Sequence, residues 1–126
     1  MFERLPIESK KAPSAVGAYT QAVRYGDVIY ISGQLPLDAN RQLVGDTPEA
    51  QMRQVFKNIA EICSVAGGNL SSIAKLNVYL KDLANISVLN KVMVEMFAQP
   101  YPARTTVGVA IPMNAEIEVD AILHIG

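Results

Sequence analysis

The sequence has a single cysteine and a single histidine, and this scarcity excludes several kinds of site. Cys63 cannot form a disulfide within the chain, which is typical of proteins kept in a reducing compartment. Cys63 and His124 cannot by themselves supply the Cys/His ligands of a structural zinc site. We therefore interpret Cys63 as a buried, inert thiol and His124 as an ordinary strand-end residue, and we expect no metal.

The net charge of the chain is also close to zero. The 126-residue chain has 11 Lys/Arg against 12 Asp/Glu, and 50% of its residues are hydrophobic. Such a chain lacks the broad basic surface that binds a polyanion by releasing counterions, so nucleic acid is not an expected partner. The apolar content suffices for one core and no compositional boundary divides the sequence, so residues 1–126 are predicted to form one domain.

Long apolar runs are missing as well. A bilayer span needs about 20 apolar residues, whereas the uncharged run 62–74 is interrupted by glycines and polar residues. Met1–Pro6 contains two charged residues and one proline where a signal peptide needs an apolar stretch. Gly67-Gly68 lacks the flanking residues of a phosphate-binding loop and is interpreted as a helix end. We therefore expect a cytoplasmic protein without membrane contact.

Two amphipathic helices are predicted. Thr47-Pro48-Glu49 offers a capping hydroxyl, a proline for the first turn and a carboxylate for the positive end of the dipole. Asn85 is predicted to cap the second helix, and Pro100 to close it. The first apolar stripe consists of Met52, Val55, Phe56, Ile59, Ile62, Cys63 and Ala66, and the second of Ile86, Leu89, Met93, Met96 and Phe97.

Strands are predicted before, between and after these helices along the sequence. Two β-prone runs joined by Gly26-Asp27 predict a hairpin, alternating apolar and polar residues predict two later strands, and a further strand is predicted between those two. Apolar groups on both faces of Val28–Ile31 predict a strand that is covered on both sides. The predicted strands are Gln21–Tyr25, Val28–Ser32, Lys75–Lys81, Arg104–Val109 and Glu116–Ile125.

This order predicts an α+β fold with about five or six strands and two helices on one face of the sheet. Two helices bury two stripes and so cover only one face. The other face mixes apolar groups with Asn77, Glu118 and Asp120. We therefore expect a symmetric homo-oligomer with polar clefts between its chains.

The candidates for chemistry are Arg104, Glu118 and Tyr19, and none is distinctive alone. Arg104 opens a strand after Pro100–Ala103, and Glu118 lies one strand later. A strand-end arginine is most often solvated or ion-paired, and a tyrosine most often packs. A structural role therefore stays open for each residue considered by itself.

Taken together, however, the sequence resembles the reactive intermediate deaminase family, also called the Rid or YjgF family, over essentially its whole length. The resemblance depends on the joint occurrence, in order, of Ala12–Ala22, Ile31–Pro36, Asn77–Leu83, Asn90, Tyr101–Thr105 and Ile117–Ala121. It implies a chorismate-mutase-like fold and a homotrimer with three equivalent clefts between subunits. It also implies hydrolysis of imines or enamines released by pyridoxal-phosphate enzymes, such as 2-aminoacrylate and 2-iminobutanoate, to 2-oxo acids and ammonia.

The resemblance also implies roles for individual residues. Arg104 would bind the substrate carboxylate, which a guanidinium can hold bidentately, and Glu118 would orient or activate water. General-base assistance of this kind is typically worth about 10²- to 10⁴-fold. Imines already hydrolyse readily in water, so no cofactor is required. The rest of the cleft would be lined by Tyr19, Ser32, Asn90 and Thr106.

Two departures from the family pattern bear on the site. Thr106 stands where many members have cysteine, so no thiol there can be essential. The stretch from Arg104 to Pro112 is also one residue shorter than the common pattern, which can alter the cleft rim and the substrate range.

Two other functions stay open. One is a non-catalytic sensor or regulatory partner that binds a 2-oxo acid in the same cleft. The other is RNA cleavage or translation inhibition, sometimes attributed to the family, which the balanced charge disfavours.

Overall fold

A six-stranded mixed sheet with two helices on one face makes up the computed structural model, which describes residues 3–126. Met1 and Phe2, part of the segment in which no signal peptide is expected, lie outside the described residues. The strands are β1 (Leu5–Ile7), β2 (Ala22–Tyr25), β3 (Val28–Gln34), β4 (Ile73–Leu80), β5 (Ala103–Gly108) and β6 (Ile117–His124), and the helices are α1 (Pro48–Val65) and α2 (Ile86–Met96).

The strand order across the sheet is β1-β2-β3-β6-β4-β5. β4 and β5 are parallel, and the other neighbours are antiparallel. The predicted α+β class and the predicted hairpin, here β2 and β3, are confirmed. β1 has no counterpart in the predicted strands because it has only three residues, one of them Pro6. It lies at the sheet edge, where a missing N–H is tolerated.

α1 agrees with its sequence signals at both ends. The Thr47 hydroxyl accepts a hydrogen bond from the Ala50 N–H at 3.1 Å, and all seven residues of the predicted stripe are buried. Beyond the last turn, Gly67 has φ +91°, a left-handed conformation that favours glycine. Gly68 then donates its N–H to the Cys63 carbonyl at 2.8 Å. The interpretation of the glycine pair as a helix end is confirmed.

The predicted cap of α2 is wrong. Asn85 precedes the helix but makes no side-chain capping bond. Instead, the Asp82 carboxylate accepts from the Ala84 N–H at 2.9 Å and caps a short 3₁₀ turn, Leu83–Asn85, that runs directly into α2. Because Asn85 already has turn dihedrals (φ −82°, ψ 7°), it lacks the extended backbone that lets an N-cap side chain fold back.

The sheet has one covered and one open face. Ile29 and Ile31 of β3 are buried among the core residues, whereas Tyr30 between them is 44% exposed on the opposite side. One copy therefore covers only one face of β3, and covering of the other face stays a prediction. We use the term open face for the side carrying Tyr30, Asn77, Tyr79, Glu118 and Asp120.

A buried asparagine on α1 fixes the path of the chain as it leaves β3. The Asn58 side-chain amide donates to the carbonyl oxygens of Leu35 at 3.2 Å and Leu37 at 2.8 Å. Its own oxygen accepts from the Gln54 amide at 2.9 Å. Buried polar groups cost stability unless they are paired, and here the pairing ties residues 35–37 to the helix.

We expect Asn58→Asp to lower the free energy of unfolding by about 2–4 kcal/mol, because the amide donors are lost and a carboxylate faces two carbonyl oxygens. Urea unfolding at fixed protein concentration measures the effect. Lys57→Ala, on the exposed side of the same helix, is the control and should change stability by less than about 0.5 kcal/mol. An unchanged midpoint for Asn58→Asp would contradict the role given to Asn58.

Candidate functional site

Glu118 lies in a cleft on the open face of the sheet, which we call the Glu118 cleft. Its side chain lies against the backbone of Gly33, where an added Cβ would collide with the carboxylate. Gly33 therefore admits Glu118 to this position, a role not predicted from the sequence. The cleft has a volume of about 600 Å³ and is lined by Tyr19, Ile31, Ser32, Gly33, Leu35, Pro112, Glu118 and Asp120.

The two carboxylates of this cleft are in different surroundings. Asp120 accepts hydrogen bonds from the Asn77 amide at 2.7 Å and from the Tyr79 hydroxyl at 2.8 Å. That bond to Asp120 raises the pKa of Tyr79. Burial, and secondarily the negative charge of Asp120, raises the pKa of Glu118 above its usual range. A half-buried carboxylate with a raised pKa beside a cleft is suited to take a proton from water.

Tyr19 and Ser32 border the same cleft but differ in what they can offer a ligand. The Ser32 hydroxyl donates to the Thr20 carbonyl at 2.6 Å, so its proton is occupied and it can only accept a further bond. Tyr19 is 47% exposed, and its hydroxyl accepts from the Val16 N–H at 3.3 Å. The phenolic proton of Tyr19 is therefore free to be donated into the cleft, while Ser32 holds the segment that carries it.

Arg104 lies in a second cavity, which we call the Arg104 pocket. One terminal nitrogen of its guanidinium donates to the Asn90 side-chain oxygen at 2.8 Å and lies 3.3 Å from the Met93 sulfur. Arg104 has no carboxylate partner within residues 3–126, so its remaining N–H groups can bind an anion. The pocket has a volume of about 410 Å³ and is lined by Asn90, Met93, Val94, Tyr101, Pro102 and Arg104.

Thr106 follows two residues after Arg104 on β5 and therefore shares its face of the strand. Its hydroxyl is buried and has no hydrogen-bond partner in the part of the chain that the structure describes. Thr106 is not one of the residues that line the Arg104 pocket.

One copy of the chain does not bring Arg104 and Glu118 together. Across β4, Arg104 is in register with Leu76, whereas Glu118 is in register with Tyr79. Leu76 is buried on the helix side, and Tyr79, three residues later, points to the open face because strand side chains alternate. The Arg104 pocket and the Glu118 cleft therefore lie on opposite sides of the sheet.

The comparisons with known proteins agree with this fold. The model of the family described as Endoribonuclease L-PSP matches residues 9–125. The crystal structure of RidA from the Antarctic bacterium Psychrobacter sp. superposes with a TM-score of 0.93 at 47% identity, covering 97% of this chain and 100% of that one. The chain belongs to the Rid family.

Two further Rid relatives extend the comparison. The 2-iminobutanoate/2-iminopropanoate deaminase of Dermatophagoides farinae is 34% identical over 121 residues, which are 94% of this chain and 94% of that protein. The crystal structure of E. coli TdcF with bound serine superposes with a TM-score of 0.88 at 31% identity, covering 96% of this chain and 98% of that one. Membership of the Rid family, inferred above from short segments, is thus confirmed along nearly the whole chain.

The remaining expectations concern single residues. Cys63 is buried, as predicted, and burial raises the pKa of its thiol to about 11, which disfavours the reactive thiolate. His124 ends β6 and is exposed. Within residues 3–126, no His, Cys, Asp and Glu side chains form a group of three or more that could hold a metal ion, and no helix is long and apolar enough to cross a membrane.

We expect Asp120→Asn to lower the pKa of Glu118, because a repelling charge disappears while the larger effect, burial, remains. The acidic limb of any activity that needs ionised Glu118 should move to lower pH with it. Carbon-13 NMR titration of the glutamate carboxyl groups measures the shift. Glu116→Gln, which removes a carboxylate 3.8 Å from the Lys81 ammonium, is the control and should leave Glu118 unchanged. A rise in the pKa of Glu118 in Asp120→Asn would contradict the assignment.

Proposed function

We propose that the protein hydrolyses small reactive 2-imino acids to 2-oxo acids and ammonia, in sites that combine the Arg104 pocket of one copy with the Glu118 cleft of another. The observation that carries the proposal is the placement of an unpaired guanidinium and a carboxylate of raised pKa on opposite faces of one sheet. In a cyclic oligomer, each copy contacts its two neighbours through different surfaces. Such an assembly would bring the Arg104 pocket of one copy to the Glu118 cleft of the next. The homotrimer implied by the resemblance is the assembly we propose.

Each half supplies a different part of the reaction. The guanidinium of Arg104 binds the substrate carboxylate, while Asn90 holds one of its nitrogens in place. Glu118 takes a proton from water as the oxygen bonds to the carbon of the protonated C=NH2⁺ group, and the resulting neutral tetrahedral carbinolamine carries hydroxyl and amino groups. Glu118 returns that proton to the nitrogen, the C–N bond breaks as the hydroxyl gives its proton back to the Glu118 carboxylate, and ammonia and a carbonyl result. Tyr19 borders the reacting groups as a hydrogen-bonding residue, Thr106 follows Arg104 on the same face of β5, and the chemistry uses no cofactor.

The names of the relatives support this reaction class in part. One is a deaminase of 2-iminobutanoate and 2-iminopropanoate, and another was crystallised with serine, a small amino acid. At 31–34% identity the particular imine can differ, and Thr106 and the short segment after Arg104 are where we expect such a difference to arise. A cytoplasmic location stays a prediction, since relatives include chloroplastic and mitochondrial proteins.

Charge argues against the RNA cleavage suggested by the description of the family model. The chain has a formal net charge of −1, and the Glu118 cleft contains two carboxylates, Glu118 and Asp120. Carboxylates repel the phosphates of a nucleic acid, while one guanidinium matches one small carboxylate. A small anionic substrate therefore fits the site better than RNA.

We expect Arg104→Ala to lose nearly all activity and Arg104→Lys to lose most of it, because lysine cannot reproduce the fork that fixes a carboxylate. A dehydratase that generates 2-aminoacrylate or 2-iminobutanoate, with semicarbazide as the trap, measures hydrolysis as reduced semicarbazone formation. Arg53→Lys, an ion-paired arginine on α1, is the control and should stay active. Unchanged trapping with the wild-type protein across several parent amino acids would refute the enzyme, and saturable 2-oxo-acid binding without turnover would favour the sensor.

A mixing experiment tests whether two copies share one site. Arg104→Ala and Glu118→Gln chains should each be inactive alone. When the two are unfolded together in equal amounts and refolded, about a quarter of the sites should receive an intact Arg104 from one chain and an intact Glu118 from the next. The trapping assay should then show about a quarter of wild-type activity. Full inactivity of the mixture, with mixed particles verified by mass spectrometry, would place both residues in one chain or remove one of them from the reaction.

A further inference from the structure

The turn after β3 contains an arginine in an unfavourable backbone conformation. Arg41 has φ +61°, in the left-handed region where a Cβ is disfavoured and glycine is the usual choice. The turn itself is closed by other groups. The Arg41 N–H donates to the Asp38 carbonyl at 2.9 Å, and the Asp38 carboxylate accepts from the Asn40 and Gln42 N–H groups at 2.8 and 3.0 Å. The backbone of the turn therefore gives no reason for an arginine at this position.

The side chain of Arg41 supplies a reason. Its guanidinium donates to the carbonyl oxygen of Ser14, 27 residues earlier in the chain. Arg41 also lines, with Tyr19 and Gln34, a cavity of about 20 Å³, which is room for one water molecule. The strained turn thus contacts the segment that carries Tyr19 into the Glu118 cleft.

That segment, residues 13–20, has few other attachments. The buried Gln21 amide donates to the Pro13 carbonyl at 2.9 Å, and the Ser32 hydroxyl donates to the Thr20 carbonyl at 2.6 Å. Between these two ends, residues 14–19 are exposed or half-buried, and the guanidinium of Arg41 is their only side-chain hydrogen-bond donor from elsewhere in residues 3–126. An exposed segment with so few attachments opens easily.

We propose that Arg41 is a positioning residue that holds residues 14–19, and with them the Tyr19 hydroxyl, at the Glu118 cleft. Its kinetic consequence rests on the function proposed above. Without the bond to Ser14, Tyr19 would occupy its position at the cleft for a smaller fraction of the time. Apparent affinity for the substrate falls in proportion to that fraction.

Hydrogen exchange tests the structural part without any turnover. In Arg41→Gly the Val16 amide, whose N–H is hydrogen-bonded to the Tyr19 hydroxyl, should exchange faster than in wild type, while Tm does not fall because glycine accepts the left-handed backbone. Asn40→Gly, which adds a glycine to the same turn and keeps Arg41, is the control and should leave exchange in 14–19 unchanged. Unchanged exchange in Arg41→Gly would overturn the inference. Faster exchange throughout the chain with a lower Tm would also overturn it, because Arg41 would then be a general structural residue.

Kinetics tests whether Arg41 acts through Tyr19. In the trapping assay Arg41→Gly should lower kcat/KM by about threefold to tenfold, mainly through KM, and Arg41→Lys should recover part of the loss. In a Tyr19→Ala background, Arg41→Gly should have no further effect, because residues acting through one another are not additive. An additive loss would overturn the link to Tyr19. A wild-type protein without turnover would refute the proposed reaction, and the exchange result would still decide the role of Arg41.

Discussion

The alternation of side chains along β4 and its neighbours is the constraint on which the site depends. One face of the sheet must be apolar because α1 and α2 cover it, and Leu76 on that face sets the register that places Arg104 there. The opposite side of the sheet, the open face, carries Tyr79 and, in register with it, Glu118. A shift of β6 by one residue would turn Glu118 and Asp120 toward the core, so core packing itself keeps Glu118 on the face opposite Arg104.

Much of this architecture could be predicted from the sequence because it depends on local patterns. The stripe of α1, its Thr47 cap and the glycine end are set by residues within a few turns of one another. The prediction failed where a neighbour in space decides the outcome. β1 is too short to show a pattern and exists because it pairs with β2, and Asp82 takes the capping role because a 3₁₀ turn places Asn85 inside the helical path.

The resemblance supplied the residue types of the candidate site, but not their arrangement in one copy of the chain. The resemblance to the Rid family named Arg104 and Glu118, yet the pairing of β4 with both β5 and β6, which separates them, follows from long-range contacts. The part played by Gly33 depends on the irregular register between β3 and β6 near Ile31 and Gln34, which no local pattern reveals. Ser32, expected as a lining residue, uses its hydroxyl proton to hold the Thr20 backbone.

In a site shared by two copies, the pKa of Glu118 would depend on whether a substrate is bound. In one copy, burial and the charge of Asp120 raise the pKa of Glu118. The Arg104 guanidinium of a second copy, brought near without a ligand, would lower that pKa again because a nearby cation favours the carboxylate. A substrate carboxylate bound to Arg104 neutralises the cation, so the raised pKa returns when a substrate is present. Under the proposed mechanism, Glu118 is therefore a stronger base in the occupied site than in the empty one.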